Sequence, residues 1–307
     1  MITSIFSKSK PINFIFVFFI TLLAFVLANI KLQNEQIDLF FILEKVAIFA
    51  VCYLSILILN FIVGKNNLTH KSNYEILLYC LFLLMIPQTF LNDRIIVSNL
   101  FILFALRRIL SLRTQISLKK KLFDASFWIA IAALFYFWAI LFFILIYAVL
   151  TLYTDNKIKN WIVPFTGVLV VFLVSICYSV IIYDDFFEAL NFSFSTSLDF
   201  SNYNSLKYVI AITIVLSFGI WSSIFYLKSI KNQLKKIRPV YKAIFVMLLI
   251  AFSIVVIAPV KSGSEFLFLF APLAIIVTNY IETIQENWFR EVFLLVLIIT
   301  PIALLML

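Results

Sequence analysis

Histidine is nearly missing from this chain, with His70 alone in 307 residues, and glycine is scarce at four. Charged residues make up 13% of the sequence. Each shortage excludes something. Four scattered glycines cannot supply a phosphate-cradling loop, and no Gly-x-x-x-x-Gly-Lys-Ser/Thr, His-Glu-x-x-His or Gly-x-Ser-x-Gly string occurs. ATP-driven transport within this chain is therefore disfavoured. The three cysteines, Cys52, Cys80 and Cys177, fall inside apolar runs and read as small packing residues, not as a disulfide or metal framework. His70 stands beside Lys71 in a polar loop, where a solvated ring is the plain reading. Asp184, Asp185 and Glu188 come nearest to a hard-cation cluster. Adjacent aspartates diverge, no histidine is near and no Asp-x-Asp pattern occurs, so neither a metal nor another cofactor is expected.

What is abundant is apolar: 64% of residues are hydrophobic. About 20 apolar residues in a helix cross about 30 Å of hydrocarbon, and residues 13–30 do so without a charge. Reading runs against length gives spans near 13–30, 39–63, 74–91, 95–111, 122–136, 138–153, 161–183, 206–227, 241–259, 265–281 and 289–306. The expected fold is an all-α, polytopic transmembrane helical bundle of about 11 spans, forming one integral membrane domain over 1–307. Lys8 and Lys10 before the first run imitate a signal peptide, but the run is long and more spans follow, so it reads as a retained first helix.

With the N-terminus cytoplasmic and the C-terminus periplasmic, the inner loops hold all of the 24 basic residues except Lys31, Lys45, Arg94, Lys207 and Lys261. Acids dominate the other side. This is the positive-inside pattern; the net charge of +9 therefore sets topology and does not point to nucleic acid. The stretch 122–153 is long for one span and short for two. A single span would send the basic segment 228–242 outward, so a short helical hairpin is expected, turning near Phe135-Tyr136-Phe137-Trp138. The basic linkers 107–121 and 228–242 could lie on the inner leaflet, and the external loop 184–206 reads as a surface cap.

Ionisable groups near membrane depth are expensive and point to sites. Asp93 and Arg94 share an external turn where they could pair or hold an anion, although a helix cap explains Asp93 equally well. Glu44 and Lys45 lie about one turn into the second span. Glu35 and Asp38, three apart in the first external loop, offer a carboxylate that could act as general base, or be merely solvated. The most distinctive string is Pro259-Val260-Lys261-Ser262-Gly263-Ser264-Glu265. Lys261, Ser262, Ser264 and main-chain amides could surround a lipid phosphate, with Glu265 and Asp93 orienting the cations; a polar turn between two helices uses the same residue types.

Two resemblances follow from particular strings. The opening Met1-Ile2-Thr3-Ser4-Ile5-Phe6-Ser7-Lys8-Ser9-Lys10-Pro11, the string Leu122-Phe123-Asp124-Ala125-Ser126-Phe127-Trp128, and Lys261-Ser262-Gly263-Ser264-Glu265 resemble an uncharacterised family of inner-membrane proteins from Bacteroidota. That likeness spans nearly the whole chain and implies a multi-pass protein of the bacterial inner (cytoplasmic) membrane. The paired short segments at 127–143 and the basic-then-Pro string from Lys261 to Pro272 are similar, in architecture, to polyprenyl-phosphate-dependent glycosyltransferases of the multi-spanning C superfamily. This second resemblance implies a catalytic acid in the first external loop, at Glu35 or Asp38, and a lipid phosphate facing Lys261.

The leading expectation is thus an inner-membrane envelope protein handling a polyprenyl-phosphate-linked substrate at the periplasmic face. Asp38 or Glu35 would act as base, and Lys261 with Arg94 would stabilise the departing phosphate. Two alternatives remain: a non-enzymatic subunit scaffolding envelope protein partners, and a transporter, which needs broken helices and a polar midplane site.

Overall fold

The computed structural model describes residues 5–30, 38–70, 72–153, 157–188 and 195–306. Among them, eleven α-helices follow one another with no strand: α1 Pro11–Asn29, α2 Leu39–Asn66, α3 Tyr74–Met85, α4 Asp93–Ser111, α5 Leu118–Phe135, α6 Phe143–Leu152, α7 Ile158–Tyr183, α8 Leu206–Ile230, α9 Arg238–Ile257, α10 Leu267–Thr283 and α11 Asn287–Met306. Short 3₁₀ turns occupy Pro87–Phe90, Leu112–Thr114, Phe137–Phe142, Ser201–Tyr203 and Ser264–Phe266. Eight stretches, those built on α1, α2, α4, α7, α8, α9, α10 and α11, are long and apolar enough to cross a bilayer.

Local chemistry sets several boundaries. Pro11 opens α1, where a missing amide costs nothing. The Asp38 carboxylate accepts the Leu39 amide at 2.7 Å, Asn92 Oδ1 accepts that of Ile95 at 3.2 Å and Ser205 Oγ that of Tyr208 at 3.4 Å, starting α2, α4 and α8. Helix α3 stops at Met85 because Pro87 pushes Ile86 out of helical geometry, to φ −126° and ψ 74°. In the basic segments the helices run further than hydropathy marks. Lys119, Lys120 and Lys121 fall in the first turn of α5, where long side chains lay their methylenes on apolar surface and keep the ammonium in water. The segment 107–121 is therefore the end of α4, a 3₁₀ turn and the start of α5; 228–242 is divided likewise between α8 and α9.

The 122–153 hairpin solves its length problem with 3₁₀ geometry. After α5 the chain turns at an extended Tyr136 and rises again through Phe137–Phe142 into α6. A 3₁₀ residue climbs about 2.0 Å against about 1.5 Å in an α-helix, so Phe137–Leu152 spans about 27 Å. Neighbours shield it. Helix α5 packs on α4 and α7, and α6 on α9. At the α5/α7 crossing a Cβ on Gly167 would lie 2.8 Å from the Phe123 carbonyl, so only glycine lets the backbones approach. Ala125 and Ser126, from the string read at 122–128, are fully buried there, while Asp124 pairs with Arg108 on α4 at 3.1 Å.

Burial identifies the centre. All residues of α3 are buried, and 89% of the most apolar window over Ser264–Thr283 is inside, against 22% for α7 and α8. Helix α10 touches α3, α4, α8 and α9, and α3 also touches α1, α2 and α11. Two ends are thereby defined. At one, which we call the turn end, Lys45 on α2 meets Asp93 on α4, and Phe25 on α1 meets Phe90. At the other, the basic end, the Asn73 amide bonds the Phe6 carbonyl, the Tyr241 hydroxyl donates to the Leu68 carbonyl, and the His70 amide donates to Glu282.

Candidate functional site

The string between α9 and α10 forms a buried knot at the turn end. Gly263 stands at φ +92°, a region that favours glycine, and a Cβ there would press on the Tyr208 ring at 3.0 Å. The turn folds Lys261 inward until 3% of the residue is exposed. Its Nζ donates to the Val255 and Val256 carbonyls at 2.8 and 2.6 Å, and the Phe200 ring lies 4.9 Å from it. A cation is favoured at a helix C-terminus, where the last carbonyls lack intrahelical donors. Burial lowers the pKa of the Lys261 ammonium.

Glu265, 1% exposed, is satisfied from another direction. The Tyr203 hydroxyl donates to its Oε1, and the Ser262 hydroxyl lies 3.3 Å from its Oε2. Ser262 and Ser264 meet at 2.7 Å between their hydroxyls, Ser264 Oγ reaches the Gln88 carbonyl at 3.4 Å, and the Tyr208 hydroxyl donates to the Ser262 carbonyl at 2.8 Å. The loop before α8 thus packs onto this turn through Phe200, Tyr203 and Tyr208. Within that loop Asp199 accepts the Ser201 amide at 2.9 Å, and this bond, followed by the Ser201 hydroxyl, holds its carboxyl below the usual range. The hairpin tip closes the far side: Tyr136 stacks on Phe268 at 5.7 Å and Phe142 lies 5.8 Å from the same ring. Pro272 carries no amide for the Phe268 carbonyl, so α10 lacks one intrahelical bond beside this cluster.

Of the residues singled out in the sequence, Lys261, Ser262, Ser264 and Glu265 are brought together. Asp93 lies apart from them, 3.2 Å from Lys45, whose ammonium also stands 5.7 Å from the Phe41 ring. Arg94 and Glu44 are exposed, and Asp38 is exposed and engaged with the Leu39 amide. Glu35 lies outside the described residues.

Beside the knot opens a cavity of about 360 Å³. Leu27 of α1, Leu84 and Met85 of α3 and Leu304 and Leu305 of α11 make its apolar walls; Gln88, Lys207 and Tyr208 supply its polar edge. Tyr208 therefore serves both structures, bracing the Ser262 carbonyl and lining the cavity. Lys207 is exposed at the rim. Apolar walls with one cation at the mouth suit an amphiphile that carries a negative head. Sequence reading missed this edge: Lys207 figured only as an outward basic residue, and nothing local links Tyr203 or Tyr208 to a turn more than fifty positions away.

Helical stretches of spanning length, an apolar exterior and polar knots at the two ends define a multi-pass helical membrane protein. By sequence it belongs to a family of unknown function, DUF6427, which matches residues 1–306. Neither a curated protein nor a solved structure matches the chain.

Proposed function

We propose that this is a protein of the bacterial cytoplasmic membrane, N-terminus inside, that holds a lipid phosphate of the polyprenyl-phosphate class at its outer, turn end. The cavity beside Tyr208 carries this reading: apolar walls from α1, α3 and α11 take the chain, and Lys207 at the mouth takes the phosphate. In this arrangement Lys261, Ser262, Ser264 and Glu265 build the wall behind the lipid, while Arg94, exposed beyond Leu91, adds positive charge on the approach. Glycosyl transfer is the enzymatic extension of the same reading, with Asp38 or Glu35 deprotonating an acceptor. Holding is favoured over transfer, because Lys261 is bound to α9 carbonyls and Asp38 to its own helix start.

The test is purification in mild detergent with mass spectrometry of retained lipids, comparing wild type with Lys207→Ala and Lys207→Glu. A lipid phosphate present in the wild type, reduced roughly tenfold by loss of one charge-assisted contact and abolished by Lys207→Glu, supports the reading. Equal lipid in all three sinks it. Ordinary phospholipid together with a stoichiometric protein partner would favour a scaffold for an envelope complex instead.

A further inference from the structure

The opposite end of the bundle carries a second cavity, of about 440 Å³, against the start of α3. Polar side chains take part in its lining, among them Asn60, Lys65, Thr69, Ser72, Asn73 and Glu75. Two of these carry a buried side-chain atom without a partner. Glu75, 1% exposed, has an Oε2 with no hydrogen bond, and Asn73, also 1% exposed, has an Nδ2 with none. A carboxylate in the first turn of a helix is favoured by the helix dipole, but the dipole gives Glu75 Oε2 no donor. Buried polar groups in native folds are almost always paired. The residues that carry this acceptor and this donor line one cavity.

The surroundings narrow what complements them. Glu282 lies near enough to act electrostatically on Glu75 and is itself held by the His70 amide, at 3.0 and 2.9 Å, and by the Ser72 hydroxyl at 2.5 Å. Lys65, exposed, brings positive charge to the same lining. The open Glu75 Oε2 is an acceptor, and an N–H donor complements it. The complement of Lys65 and the Asn73 amide is an oxyanion.

We propose that this cavity binds a primary-ammonium zwitterion, an ammonium and an oxyanion on one small group, with the ammonium at Glu75 Oε2 and the oxyanion between Asn73 Nδ2 and Lys65. Two sources carry that chemistry, an ethanolamine phosphate headgroup of a membrane lipid and a free metabolite of the same kind. The site is independent of the lipid phosphate proposed at the turn end, and neither stands or falls with the other.

Calorimetry on the full chain in detergent, titrated with phosphoethanolamine, phosphocholine and glycerol phosphate, tests it. Phosphoethanolamine should saturate one site, and phosphocholine, whose quaternary nitrogen has no N–H, and glycerol phosphate, which has no nitrogen, should each bind roughly tenfold more weakly or worse. Glu75→Gln should lose roughly tenfold in affinity, and Lys65→Ser, at an exposed position that the fold does not need, should do the same should Glu75→Gln fold poorly. Nanodiscs separate the sources: enrichment of phosphatidylethanolamine around the wild type, lost in Lys65→Ser, assigns the headgroup, whereas saturation by free phosphoethanolamine without enrichment assigns the metabolite. Absence of saturable binding together with absence of enrichment, equal binding of phosphocholine, or unchanged affinity in both variants overturns the proposal.

Discussion

Glu265 at the turn end and Glu75 at the basic end are equally buried, each 1% exposed, and each stands at the start of a helical element of the central pair. They are treated in opposite ways. Glu265 has Tyr203 on one oxygen and Ser262 near the other; Glu75 has an oxygen with nothing. A buried carboxylate whose lone pairs are filled holds segments together, here the loop before α8 and the start of α10. A buried carboxylate left open destabilises its own fold and persists only where something else requires it. The same contrast separates the cations: Lys261 is spent on α9 carbonyls, while Lys207 and Lys65 stand exposed at cavity rims.

The comparison can be broken by the same substitution at both ends. Glu265→Leu strands the Tyr203 and Ser262 hydroxyls and should cost about 3 kcal/mol, read as a lower thermal midpoint in detergent. Lys261→Met removes two charge-assisted bonds and should cost about 2 kcal/mol; were Lys261 a phosphate ligand instead, the variant would lose bound lipid and keep its stability. Glu75→Leu has the smallest expected effect and the opposite sign, a gain of about 1 kcal/mol in ligand-free protein. Should Glu75→Leu destabilise as much as Glu265→Leu, the two ends are alike and the open carboxylate is an illusion of geometry.

Hydropathy made the eleven helical segments legible, and Pro87 marked the end of α3. What it could not reveal was depth. Periodicity is silent on which apolar helix is central, because α3 and α7 are both hydrophobic all round and only packing separates a wholly buried helix from one 22% buried. The turn at 259–265 was visible as a string of special residues, yet its partners Tyr203, Tyr208 and Gln88 come from elements joined only by the fold. Lys261 illustrates the limit: a cation in a polar turn reads as a ligand for anions, and here the nearest anionic ends belong to its own preceding helix. Glu75 was overlooked although its signal was local, a carboxylate within the otherwise apolar sequence of α3.

The position of α10 in the chain sets an order on assembly. It is the most enclosed of the spanning stretches, and among the described residues only α11 is synthesised after it. Helices leaving the translocation channel in sequence would therefore gather around a vacancy, with α3, α8 and α9 presenting inward surfaces that await their partner. The short hairpin of α5 and α6 would also wait for α10, since Phe268 on that helix anchors its tip. One half of the central pair, α3, is thus made early and the other, α10, late.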